Sequence, residues 1–133
     1  MTVKQDIANP EDVATLVRDF YSAVYRDEVL RPLFQDVAKL DLADHLPKMN
    51  RFWGTVLLGE QSYRGNPMMV HLQLDDLQPL HECHFLRWLS LWSLTVDRLF
   101  QGPVADKAKL SARRISANIE GTLSERRQSA CAS

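Results

Sequence analysis

Two histidines, a tyrosine and a tryptophan are the side chains of this sequence best suited to binding chemistry. Tyr21, His45 and Trp88 fall on apolar stripes with helical spacing, and His71 follows a Gly-Asn-Pro break among apolar neighbours. A neutral imidazole backed by apolar residues can offer one nitrogen to a metal. A buried Tyr or Trp normally finds a partner for its polar tip. Each residue taken singly can also be ordinary core, but together they favour one metal ligand, His71, facing several hydrogen-bond donors for a small polar ligand.

Other metal sites are poorly supported by the residue types. No carboxylate lies on the inner stripes, so a non-haem iron or zinc set is incomplete. His81 and Cys83 point to different faces of a helix, and His84 adds too few ligands for zinc. The two cysteines, Cys83 and Cys131, form no CxxC or CxxCH motif, which excludes a covalent c-type haem. A flat apolar cofactor that brings its own metal needs only one protein ligand and suits inner faces rich in Phe, Trp, Met and Leu.

Capping residues and helical periodicity predict an all-α chain. Asn9 and Pro10 are typical of a helix N-cap and first position. The predicted long helices run from residue 10 to about 27, 42–58, 80–100 and 104–126. Pro47 is expected in the first turn of the second helix, with Asp44 as a candidate cap; otherwise the helix is expected to kink there. Shorter pieces are a single turn at 29–34, at most a short helix at 68–72, and a frayed tail at 124–133.

Length and charge limit the classes of function. The 133 residues predict one domain, 1–133, with its core at about 10–124. Lys plus Arg number 16 and Asp plus Glu number 17, which predicts no nucleic-acid or membrane partner. The pairs Arg113-Arg114 and Arg126-Arg127 are expected on solvated helix faces. The longest uncharged apolar stretch, 52–59, is far shorter than the roughly 20 residues that span a bilayer. The polar N-terminus lacks the apolar core of a secretory signal, which predicts a cytoplasmic protein.

Six short segments, spread along most of the chain, are informative through their order and spacing. They are Phe20-Tyr21, Leu33-Phe34, His45 with Phe52-Trp53, Leu57-Leu58-Gly59, Tyr63-Arg64-Gly65-Asn66-Pro67 before His71-Leu72, and Phe85-Leu86-Arg87-Trp88-Leu89. From about residue 11 to 123 the sequence resembles the truncated haemoglobins, specifically the group III (P-type) branch. The absence of the glycine-pair hinges of other groups suits that branch. The resemblance implies a globin-like two-over-two helical sandwich around a non-covalent haem b.

The resemblance also implies roles for individual residues. His71 is similar to the proximal iron ligand, and Tyr21, His45 and Trp88 are similar to the distal polar set. Further haem-contacting positions are Phe34 against the haem face, Met49 one turn after His45, Trp53 along the pocket, and Lys48, Arg51 and Arg64 as candidate partners of the propionates. The last three can also be ordinary solvated charges. Pro47, so close to His45, leaves two orientations open for the imidazole, towards the ligand or towards solvent.

Three functions stay open at the level of sequence. The leading hypothesis is a monomeric haem protein with five-coordinate iron that binds oxygen, nitric oxide and carbon monoxide. Donors such as Tyr21 and Trp88 would each stabilise a partly negative ligand by about 1–3 kcal/mol, which favours tight retention over easy delivery. The second hypothesis is an enzyme for nitric-oxide detoxification or peroxidase-like turnover, which would need an external electron donor. The third is a haem-free helical interaction module.

Overall fold

All regular structure is helical in the computed structural model, which describes residues 3–61, 63 and 65–132, the last five by their main chain only. The elements are α1 (Pro10–Val24), a π-helix (Pro32–Val37), α2 (Leu42–Leu58), α3 (Pro67–Leu77), α4 (Glu82–Leu99) and α5 (Pro103–Ala132). The all-α prediction is confirmed. No described helix is both long and apolar enough to cross a bilayer.

α1 follows from its cap and its apolar stripe. The Asn9 side chain accepts a hydrogen bond from the backbone N–H of Asp12 at 2.9 Å, and Pro10 occupies the first position. The buried residues of the helix are the predicted ones: Val13, Leu16, Val17, Phe20, Tyr21 and Val24. This stripe turns the Tyr21 phenol towards the interior.

α2 has the predicted bounds, but its first turn differs from the prediction. Asp41, and not Asp44, is the N-cap, because its side chain accepts from the backbone N–H of Ala43 at 3.0 Å. Pro47 therefore lies inside the helix, beyond the first turn, where its missing N–H leaves the Ala43 carbonyl without the usual helical donor. The helix ends at Gly59, whose φ of +73° is the left-handed conformation that glycine adopts without strain.

Three shorter predictions are wrong in length. The expected turn at 29–34 is a π-helix that starts at Pro32, where a missing N–H costs little. The segment at 68–72 belongs to an eleven-residue helix, since Asn66 caps it and Pro67 opens it. The expected frayed tail continues α5 to Ala132. Arg126 and Arg127 in this tail form ion pairs with the end of α3, which a freely solvated end would not.

Two pairs of long helices form the sandwich. α1 packs on α2 and α4, α4 packs on α5, and α2 also touches α5. The larger core lies among these four helices and contains Phe20, Tyr21, Trp53 and Trp92. A smaller cluster of Leu33, Leu80, Phe85, Ile119 and Leu123 receives the half-buried face of α3. The architecture confirms the predicted two-over-two arrangement.

Candidate functional site

A hydrogen bond joins Tyr21 and His45 at one side of the larger core. The Tyr21 hydroxyl lies 2.8 Å from Nε2 of His45, and Tyr21 is only 7% exposed. The two rings meet edge to face with centroids 5.0 Å apart. The imidazole of His45 therefore faces the interior, which is one of the two orientations that the sequence left open.

The environment keeps both members of this pair neutral. Burial raises the pKa of Tyr21 far above its usual value, so the phenol keeps its proton. Burial and then the nearby charge of Lys48 lower the pKa of His45, although Asp44 opposes this. In one tautomer of His45, Nε2–H donates to the phenol oxygen, and the Tyr21 O–H is then free to donate to a third group. The pair can thus present a donor to a small ligand near the core.

Ring packing fixes Trp88 near the same place. The Phe20 ring lies edge to face with both Tyr21, at 5.2 Å, and Trp88, at 5.7 Å. Trp88 is also parallel to Trp92, with ring centroids 6.1 Å apart. Within the described ranges, no hydrogen bond involves the indole N–H of Trp88. The aromatic cluster therefore positions this half-buried side chain by its ring and leaves its donor uncommitted.

The apolar residues assigned to the pocket occupy different depths. Phe34 packs edge to face with Tyr21, with ring centroids 6.0 Å apart, and borders both apolar clusters. Met49 is half-buried against the larger core. Trp53 is only 4% exposed and stacks on Trp92 at 4.3 Å. Phe34 is thus the member that connects the distal residues with the cluster under α3.

His71 is oriented by the first turn of α3. The Asn66 side chain accepts from the backbone N–H of Met69 at 3.1 Å, which caps the helix at Pro67. One turn later, Nδ1 of His71 lies 2.6 Å from the Pro67 carbonyl oxygen. A carbonyl can only accept, so Nδ1 carries a proton, and in the neutral imidazole Nε2 then carries the lone pair. When a histidine ligates a metal, its other ring nitrogen usually donates to a carbonyl or carboxylate oxygen in this way.

His71 and the residues predicted to be distal lie beside different clusters. α3 contacts α5 and the smaller core through Met68, Leu72 and Leu74. Tyr21 belongs to the larger core, and His45 of α2 is hydrogen-bonded to it. No hydrogen bond within the described ranges joins His71 to either of them. A proximal ligand and a distal set that act on opposite faces of a flat cofactor require such a separation.

Two of the three candidate cations, Lys48 and Arg51, are exposed. Lys48 lies 3.5 Å from Asp44, with both side chains more than half exposed. Arg51 is exposed on the same helix. Arg64 lies outside the described residues. Their contact with haem propionates stays a prediction.

The remaining histidines, His81 and His84, cap the N-terminus of α4. Nδ1 of His84 accepts from the backbone N–H of His81 at 2.9 Å, which closes a capping box. Across the parts of the chain that the structure describes, no three His, Cys, Asp or Glu side chains come together as a metal site.

Two residues near the site were not singled out from the sequence. Asp27 is 5% exposed and accepts hydrogen bonds from the backbone N–H groups of Val29 and Leu30 and from Nε of Arg87. It thereby links the turn before Phe34 to the residue before Trp88. Its position at the end of an apolar stripe was the available signal.

Asn50 is the second such residue. Its Oδ1 is buried and has no hydrogen-bond partner among the described residues. It lies one residue after Met49, and a polar residue beside an apolar stripe ordinarily indicates a solvent-facing position. Nothing in the sequence marks it as partly enclosed.

Comparisons with known proteins show which family and which solved structure the chain resembles. Residues 2–111 match the family model of the bacterial-like globins. The chain is 28% identical over 124 residues to the group 3 truncated hemoglobin ctb of Campylobacter jejuni, a match that covers 91% of this chain and 95% of that protein. The crystal structure of a group III truncated hemoglobin from Campylobacter jejuni superposes with a TM-score of 0.79 and 29% identity, covering 91% of this chain and 95% of that one.

Proposed function

The chain belongs to the bacterial-like globin family, and from this premise we propose that it holds a non-covalent haem b through His71 and binds a small diatomic ligand on the opposite face. Its resemblance to the group III truncated haemoglobins is confirmed by the family match, the relative and the fold. Membership of the globins implies haem binding. The ligand set and the chemistry of the distal side are the proposal.

The hydrogen bond from His71 Nδ1 to the Pro67 carbonyl carries the proposal. It commits Nδ1 as a donor and leaves Nε2 as the free base, as an axial ligand requires. A bound haem would be held by His71 and would supply an iron able to bind a diatomic ligand. His71 fits that group because it is partly buried on the helix whose Met68 and Leu72 pack against the smaller cluster.

The distal residues support retention of the ligand. Tyr21 and Trp88 supply an O–H and an N–H close to the same aromatic cluster. His45 holds the phenol in place through the 2.8 Å hydrogen bond. Each donor would stabilise a partly negative ligand by about 1–3 kcal/mol, which slows release. We therefore propose oxygen as the natural ligand to test first, with nitric oxide and carbon monoxide as further ligands.

Apolar and cationic residues complete the proposed cofactor site. Phe34 borders both clusters, and we propose that it contacts one haem face while Met49 and Trp53 line the pocket. Lys48, Arg51 and Arg64 are the proposed partners of the propionates.

Turnover of nitric oxide is the second candidate function. The neutral, hydrogen-bonded Tyr21–His45 pair favours it, because a fixed polar group can orient a reacting ligand. Such turnover would consume one electron per cycle from an external donor. Nitric oxide converted to nitrate over many cycles with a supplied reductant would support this function. A reaction that stops after one equivalent would contradict it.

Absorption spectroscopy of the purified full chain with His71→Ala tests the proposed ligand set. We expect a Soret band in the wild type that shifts on reduction and shifts again with carbon monoxide. The His71→Ala variant should lose haem, and added imidazole should restore coordination by filling the place of the missing side chain. Gln73→Ala, an exposed change on the same helix, is the control and should behave as wild type. Normal haem content and coordination in His71→Ala would overturn the assignment.

A further inference from the structure

α3, the helix that carries His71, has few apolar contacts of its own. None of its eleven residues is fully buried. Its half-buried face packs on the smaller cluster, and its main helical partner is α5. Burial of apolar area is the main force that fixes helix positions. The position of α3 must therefore depend on other interactions to an unusual degree.

Two arginines near the end of α5 supply such interactions. Arg126 pairs with Asp76 and also donates from Nη1 to the Leu72 carbonyl oxygen at 3.2 Å. Arg127 pairs with Asp75, with Nη2 and Oδ1 2.5 Å apart. Leu72 directly follows His71 in the chain. The guanidinium of Arg126 thus contacts the main chain of α3 at the residue next to the proposed iron ligand.

Arg127 also secures the connection from α3 to α4. Its Nη2 donates to the Leu80 carbonyl oxygen at 2.9 Å, while Asp75 accepts from the Leu80 backbone N–H at 2.8 Å. The Asp75 side chain is only 11% exposed, so water screens its ion pair less than a pair on the open surface. Cations beside the last turns of a helix are also favoured by its dipole.

We propose that Arg126 and Arg127, with Asp75 and Asp76, form an ionic latch that positions α3 and, through it, His71. The two arginines are positioning residues, since neither is placed at the proposed iron. The effect on His71 as an iron ligand rests on the proposed function, whereas the effect on α3 does not. Because the latch is electrostatic, added salt should loosen α3.

Hydrogen exchange of the purified full-length protein tests the latch on α3 itself. The Arg126→Gln/Arg127→Gln variant should exchange the amides of α3 roughly 5- to 20-fold faster than wild type at low ionic strength. The difference should shrink in about 1 M salt, where the screening length is only about 3 Å. Amides of α1 should exchange at wild-type rates in both proteins.

α5 offers a matched control. Arg113 and Arg114 are also adjacent and exposed, and they form no ion pair among the described residues. The Arg113→Gln/Arg114→Gln variant removes the same charge from the same helix and should leave α3 exchange unchanged. Equal acceleration in both variants would show a general charge effect and would overturn the latch. Wild-type exchange in the Arg126→Gln/Arg127→Gln variant would overturn it as well.

Two further measurements connect the latch to His71. After loading with haemin, the latch variant should lose haem several-fold faster than the control variant, and its iron–histidine stretching frequency should shift. The Arg126→Asp/Asp76→Arg variant re-forms one ion pair with reversed charges. Compared with Arg126→Asp alone, it should recover part of the protection of the α3 amides. Faster α3 exchange with unchanged haem loss and stretching frequency would overturn the positioning of His71. Failure of the wild type to bind haemin would instead refute the proposed function and leave the exchange test of α3 decisive.

Discussion

Tyr21→Phe isolates one hydroxyl at the centre of the proposed distal site. The side chain is 7% exposed, and the change keeps its ring against Phe20 and Phe34. Burial raises the pKa of Tyr21 and lowers that of His45, so the hydrogen bond lost at neutral pH joins two neutral groups. Such a bond contributes about 1 kcal/mol, and His45, which is only partly buried, can regain water. We therefore expect the variant to fold with a free energy of unfolding about 1 kcal/mol below wild type.

The effect on ligand release should exceed the effect on folding. In a ligand complex the phenol would donate to a partly negative acceptor, a bond of about 1–3 kcal/mol. Its loss converts to oxygen dissociation roughly 5- to 150-fold faster, since 1.4 kcal/mol is a factor of ten. Faster release with nearly unchanged stability separates a ligand contact from a packing role.

Stopped-flow displacement of oxygen by carbon monoxide measures this release, and Tyr25→Phe provides the matched control. Tyr25 also carries a hydroxyl, but it contacts the Leu40 carbonyl at 3.4 Å and not His45. Its variant should release oxygen at the wild-type rate. An unchanged rate in Tyr21→Phe, or equal acceleration in both variants, would refute the distal role of Tyr21.

Two further predictions concern Asp27 and Asn50, the two residues that the sequence did not single out. Burial opposes ionisation of Asp27, but hydrogen bonds from Arg87 and the backbone outweigh it and lower its pKa below 3.8. Its stabilisation is therefore complete above the ordinary carboxyl pKa and is lost as the pH falls through the lowered one. Asp27→Asn should cost about 2 kcal/mol in urea unfolding at pH 7 and progressively less below about pH 4, and a pH-independent difference would contradict the ion pair. Asn50→Leu removes a buried acceptor without a partner and should raise the free energy of unfolding by about 1 kcal/mol, whereas a clear loss would show that Oδ1 is satisfied in solution.

Local signals account for the parts of the fold that the sequence predicts well. Asn9 and Pro10 mark the start of α1, Gly59 marks the end of α2, and an apolar stripe of period 3.6 identifies the buried face. These signals act within a few residues, so they survive in any globular context. Two of the ends where prediction fails, Asp44 as a cap and 124–133 as a frayed tail, depend on choices between nearby polar residues or on distant partners.

Distant partners are what a periodicity argument cannot supply. Tyr21 and His45 are 24 positions apart, and their apolar stripes predict that both face the interior but not that they form a hydrogen bond with each other. Arg126 and Arg127 pair with carboxylates 50 and 52 positions away, and both arginines look like solvated charges in the sequence. The spacing of residues in the sequence does not distinguish an ion-paired surface arginine from an unpaired one, because helix packing determines which carboxylate lies beside it. The interactions that hold α3 therefore become visible only after the helices have been assembled, although they lie next to the residue that the sequence singles out most clearly.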